Sequence, residues 1–181
     1  VIPQNRELVR DRARWRAAVE ELADRFSPYG RHFQVGQAIN RSKWGIWFLD
    51  EYLDMVREVS DVIQSHPGTL MLGPPVIDFE LHVTAAVLNM KRSIHFDVVS
   101  SLLYVDRRGA PENRQAGFDT PRKVRLLRAI AETSRLGDKR CWITEYNWPL
   151  SEGPYSSAGS NVSVDEETQA DYLVRYTLLA L

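Results

Sequence analysis

Glu145 follows the apolar run Cys-Trp-Ile-Thr at 141–144 and is itself followed by Tyr146, Asn147 and Trp148. A carboxylate at the lip of a buried strand is costly unless it is paired or put to use. Comparable groups follow other apolar runs. Gln37, Asn40, Arg41, Lys43 and Trp44 come after the first, Asp78, Glu80 and His82 after the second, and Tyr104, Asp106, Arg107 and Arg108 after the third. Carboxylate, amide, phenol and indole together suit sugars. Amides and carboxylates bond hydroxyl groups, and aromatic faces pack on the C–H face of a pyranose.

For these residues to act together, the elements that carry them must end on one rim. Apolar spacing from Arg6 to Phe26 predicts an amphipathic helix closed by Ser-Pro-Tyr-Gly. His32–Asn40 reads as a short strand, and Phe48, Leu49, Tyr52, Leu53, Val56, Val59, Val62 and Ile63 mark one face of the next helix. A strand near 69–73 breaks at Gly73-Pro74-Pro75, because tandem prolines do not sit inside a central strand. A helix over Glu80–Met90, a strand near 96–103, a helix capped at Thr120 and a strand near 141–145 follow. Ser163 and Glu166 have the spacing of a capping box that opens the last helix.

Strand and helix alternate, which predicts a parallel sheet with helical crossovers. An open doubly wound sheet and part of an eight-stranded barrel both satisfy that order. Neither a dinucleotide glycine fingerprint nor a Walker loop occurs, so a nucleotide-binding sheet is the weaker choice. Polar and aromatic residues after each strand match the barrel rule, in which chemistry sits on the loops beyond the strand ends. The reading is one partial α/β barrel domain over residues 1–181, with its first strand near 33–38.

Hydrophobic residues make up 44% and charged residues 26% of the 181 residues, and the net charge is −1. That balance offers no electrostatic footprint for nucleic acid, and no apolar run is long enough to span a bilayer. Cys141 is the one cysteine, expected as a packed, inert thiol, so no disulfide framework exists. His32, His66, His82 and His95 fall in no ligand-like spacing with carboxylates, so neither a metal nor a cofactor is expected. The chain starts with Val1 and stops inside a helical pattern, which reads as a segment of a longer protein.

Trp-Ile-Thr-Glu-Tyr-Asn-Trp-Pro (142–149) resembles the seventh strand of clan A glycoside hydrolases, the (β/α)8 enzymes of xylosidase, iduronidase and cellulase type. Phe33–Trp44 resembles their strand four, usually E-I-G-N-E-P-N followed by Trp. Leu70–Asp78 is similar to strand five, and Phe96–Tyr104 to strand six, usually D-F-V-S-x-H-x-Y. The resemblance runs from the third helix to the seventh helix, and implies that strands one to three and eight lie outside the segment. It makes Glu145 the nucleophile, with Gln37 at the family's Asn and Ala38 at its acid/base Glu; Leu102 stands at its strand-six His, while Tyr104 is kept. Alanine cannot donate a proton. Asp106 and Glu80 are the nearest substitute acids by strand position, and an inverting arrangement is a variant.

Glycosidic hydrolysis of an oligo- or polysaccharide is therefore the leading expectation. Gln37, Asn40, Trp44, Tyr104, Tyr146, Asn147 and Trp148 would contact sugar. The alternative is a barrel that binds saccharide without cutting it. Plainer roles compete at single residues. Trp44 and Trp148 suit rim packing, His82 a helix surface, Arg107-Arg108 a solvated turn, and Ser163 a helix cap rather than part of a glycosylation acceptor at Asn161. Open sheet edges make self-association plausible.

Overall fold

The computed structural model describes residues 1–91, 94–106, 109–137, 139–154 and 162–181. Arg107, Arg108 and Asn161 lie outside the described residues. The helix expected over 6–26 is two, α1 (Arg6–Arg10) and α2 (Arg12–Phe26). Asp11 divides them, because its side chain accepts the backbone N–H of Arg14 and caps α2. After β1 (His32–Gln34), α3 spans Leu49–Gln64 and buries Tyr52, Leu53, Val56, Val59, Val62 and Ile63, most of the face that the spacing predicts, whereas Phe48 precedes the helix and is exposed. Its start is set by the Glu51 carboxylate, which reaches back to the N–H groups of Trp47 (2.8 Å) and Phe48 (3.2 Å).

Short strands β2 (Leu70–Leu72) and β3 (Val76–Ile77) then flank Gly73-Pro74-Pro75, with the Gly73-Pro74 bond cis. The single strand expected at 69–73 is thus a strand path in two pieces. Next come α4 (Leu81–Asn89), β4 (Val98–Leu102), α5 (Thr120–Thr133), β5 (Arg140–Ile143) and α6 (Glu166–Ala180). Two caps differ from expectation. Asp119, one residue before Thr120, caps α5, and the Thr120 hydroxyl donates to Pro111 O instead. Asp165 caps α6 in place of Ser163, accepting from the Thr168 N–H.

All strand pairs are parallel. β1 pairs with β2 (Phe33 opposite Met71), both β2 and β3 pair with β4, and β4 pairs with β5 (Val99 opposite Cys141). Ile2 adds a parallel bridge to Val35 beyond β1. Among the described residues, strand neighbours therefore follow chain order once β2 and β3 are taken as one path, with no reversal of the kind that defines a doubly wound sheet. All of β4 is buried, as in a parallel sheet covered on both faces.

The sheet also curls. In a flat sheet β1 and β5 would stand about 14 Å apart, at about 4.8 Å per strand. Yet the rings of His32 and Trp142 lie 4.7 Å apart, and Thr144 Oγ1 donates to Gln34 Oε1 at 2.6 Å. Side chains from the two ends of the sheet meet only across a concave interior. On the convex side, α2, α3, α4 and α5 bury the main core, including Trp15, Val19, Tyr52, Val59, Leu88, Phe96 and Leu127. No helix among the described residues is long and apolar enough to cross a membrane.

Candidate active site

Glu145 lies just past the end of β5, half-buried, where the strand carries it onto the concave rim. Both oxygens of its carboxylate are held. Tyr104, two residues past β4, donates its hydroxyl to Oε1 at 2.5 Å, and Gln37, beyond β1, donates Nε2 to Oε2. Hydrogen bonds to an ionised acceptor are the strong kind. Two of them fix the plane of the carboxylate. The structure thus brings together residues 41 and 108 positions apart in the chain.

Beside this triad the wall is apolar. Ala38 is 1% exposed and adopts a left-handed backbone at φ +44°, packing with Ile77 and Leu102, against which Tyr104 also lies. The position that the resemblance assigns to a proton donor carries a buried methyl group. No acid occupies it.

Asn40 and Glu80 belong to a second cluster. The Asn40 amide bonds both backbone groups of Ile77, accepting at 2.9 Å and donating at 3.0 Å, and also donates to Glu80 Oε2 at 2.8 Å. Arg41 then ties Asp78 and Glu80 together, 2.7 Å from each carboxylate. The Arg41 hydrogen bond holds the Glu80 carboxyl below its usual range against the opposing effect of burial, and the same bond raises Arg41. A carboxylate kept ionised in this way is a poor proton donor. His82 follows in the first turn of α4, exposed. Asp106 is exposed, and its charge and that of Asp78 act on Lys123. Lys123 is 1% exposed, its Nζ donates to Gln115 at 2.9 Å, and burial lowers its pKa.

The aromatic residues divide by exposure. Trp44, in a one-turn 3₁₀ helix, is 41% exposed, with Lys43 Nζ 5.3 Å from its ring centroid. Trp148 is 3% exposed; its indole N–H donates to Gly109 O at 3.0 Å, and Tyr172 and Tyr176 pack edge-on against it. Tyr146 stacks on Tyr176 at 4.3 Å and shares a hydrogen bond with Thr177. Asn147 is exposed and accepts from Gln169 at 3.4 Å. Tyr146 and Trp148 therefore pack the loop after β5 onto α6, while Trp44 is exposed with the Lys43 ammonium over its ring.

The strand-end reasoning passed over three residues behind Gln37: Gln4 and Gln34 bond it directly, and Thr144 bonds Gln34. The available signal was Gln34, an amide inside an apolar strand. Among the described residues no cluster of three or more His, Cys, Asp or Glu could hold a metal ion.

No protein-family model and no curated protein sequence matches the chain. Solved structures do. A GH39 enzyme from Xanthomonas axonopodis pv. citri superposes with TM-score 0.59 at 18% identity, covering 76% of this chain and 30% of its own. A GH39 β-xylosidase from Caulobacter crescentus gives 0.53 at 17% identity over 93% of this chain and 36% of its own. A GH128 endo-β-1,3-glucanase from Amycolatopsis mediterranei, solved with laminaritriose, gives 0.53 at 16% identity, with 93% and 62% covered. The chain spans about a third to two thirds of these proteins. Likeness at such low identity shows fold alone, and the fold is a parallel α/β segment like that of TIM-barrel glycoside hydrolases.

Proposed function

We propose that Glu145 is the carboxylate nucleophile of a glycoside-cleaving site acting on an oligo- or polysaccharide. The observation that carries this reading is the double hydrogen bond to Glu145 from Tyr104 and Gln37 on a concave parallel-sheet rim. An anion fixed by donors from two other strand ends is preorganised to meet positive charge developing at an anomeric carbon. A Glu145 oxygen attacks that carbon, the glycosidic C–O bond breaks, and its electron pair leaves with the departing oxygen. Water then releases the sugar from the Glu145 ester.

The buried methyl at Ala38 shapes the kinetics. General acid–base help is worth about 10²–10⁴-fold. Without it, only substrates whose leaving group needs no proton react readily, and hydrolysis of the ester is slow. The similarity to GH39 and GH128 folds and the exposure of Trp44 support a saccharide ligand.

A second reading, binding without cleavage, is favoured by the Ala38–Ile77–Leu102 cluster. It predicts that Glu145→Ala leaves saccharide affinity intact while Trp44→Ala weakens it. The deciding experiment incubates the protein with 2-fluoro glycosides bearing activated leaving groups and reads intact mass. A single-sugar adduct, absent in Glu145→Gln and discharged faster by azide, a nucleophile needing no base, supports cleavage. Absence of any adduct, with glycan binding retained in Glu145→Ala, sinks the cleavage reading.

A further inference from the structure

Gln34 is 3% exposed and Gln4 6% exposed. Leaving a buried amide unbonded is costly, so their hydrogen bonds are informative. Gln34 Nε2 faces two oxygens at 3.4 Å, the Gly36 carbonyl and Gln37 Oε1. A backbone carbonyl can only accept, so the Gln34 amide must turn its nitrogen that way and its oxygen away. That oxygen accepts the Thr144 hydroxyl at 2.6 Å. Because Gln34 offers nitrogen to Gln37 Oε1, the other end of the Gln37 amide, its N–H, faces Glu145. Gln4 holds the backbone of the same residue from the far side, accepting from Gln37 N at 2.7 Å and donating to Gln37 O at 2.8 Å.

We infer that Gln34 and Thr144 are positioning residues for Glu145, acting through Gln37: they fix which end of the Gln37 amide meets the carboxylate, while Gln4 holds the Gln37 backbone in place. The inference rests on the proposed role of Glu145 only for its effect on sugar chemistry; the orientation itself is independent of that role. With the Gln37 amide reversed, an oxygen would face the Glu145 anion, removing a charge-assisted bond and adding repulsion. Thr144 is also the residue directly before Glu145, so the same strand end supplies both the carboxylate and the hydroxyl that orients its partner.

Three variants test this. Thr144→Val keeps the shape and deletes the donor; Thr144→Ser keeps the donor. Gln34→Glu replaces a nitrogen by oxygen, so the amide of Gln37 is drawn to turn its N–H away from Glu145. Trapping by the activated fluoro sugar is expected to slow about three- to tenfold in Thr144→Val and by at least about tenfold in Gln34→Glu. It should stay within about twofold of wild type in Thr144→Ser. In parallel, the Gln37 side-chain amide resonances of the unliganded protein, assigned by their loss in Gln37→Leu, are followed by NMR. They should move in Thr144→Val and Gln34→Glu and not in Thr144→Ser. Unchanged Gln37 resonances in Thr144→Val, with a native backbone spectrum, overturn the inference. If no variant, wild type included, forms an adduct, the cleavage reading fails and the NMR result still decides the positioning. If Gln34→Glu fails to fold, Thr144→Val decides alone.

Discussion

At the scale of single residues, Tyr104 gives the sharpest test of the carboxylate site. Tyr104→Phe removes one of the bonds to Glu145 and leaves the ring packed on Ala38 and Leu102. A hydrogen bond to a charged group is worth about 1.5–3 kcal/mol, so trapping by an activated fluoro sugar should slow by about ten- to a hundredfold, with thermal stability little changed. Glu145 was legible in the sequence because a charge next to an apolar strand needs a reason. Their places beyond strand ends pointed to Gln37 and Tyr104 as sugar contacts, and the structure has both bonded to Glu145. Gln4 and the Gln34–Thr144 pair were not legible, because Gln4 meets Gln37 across 33 residues and Thr144 meets Gln34 across 110. Trp148 reads from sequence either as a sugar platform or as rim packing, and the structure buries its indole between the β5 loop and α6.

At the scale of elements, the helices were read well and the strands less so. Period-3.6 spacing over α3 names its buried face, and cap residues place helix starts to within a few residues. Strands of two to five residues carry little periodicity, and a proline-interrupted one carries less. The interruption has its own steric logic. A Cβ added at Gly73 would lie 2.4 Å from the Phe96 ring and 2.8 Å from the Tyr52 hydroxyl. Gly73→Ala should therefore cost about 1–3 kcal/mol by overpacking, measured as a lower urea midpoint with an unchanged slope. The join between α2 and the end of α3 carries a titratable contact. His66 Nε2 meets Asp24 at 2.9 Å, and that bond raises the imidazole pKa. A raised folded pKa stabilises below the unfolded value of about 6.5 and loses that contribution as pH rises through the folded value. Tm should fall from pH 6 to pH 8, and Asp24→Asn should remove that component. The effect will be small, since Asp24 is 71% exposed.

At the scale of the whole molecule, the alternation of strand and helix was enough to predict a parallel sheet, but not how far it bends. Curvature shows only in contacts between elements that are not sheet neighbours, such as His32 with Trp142. Those contacts carry a consequence for how the chain folds. The bonds from Gln34 to Thr144 and from Gln37 to Glu145 close loops of 110 and 108 residues, while each β-pairing step joins segments much closer in sequence. Loop closure favours the near pairings first, which predicts that the cross-interior bonds form after the main barrier, when the curled sheet is already assembled. Thr144→Val should then speed unfolding and leave the refolding rate nearly unchanged, a φ-value near zero in a stopped-flow chevron. A chain stalled before that last step would have native helices and paired strands, and a carboxylate with nothing yet aimed at it.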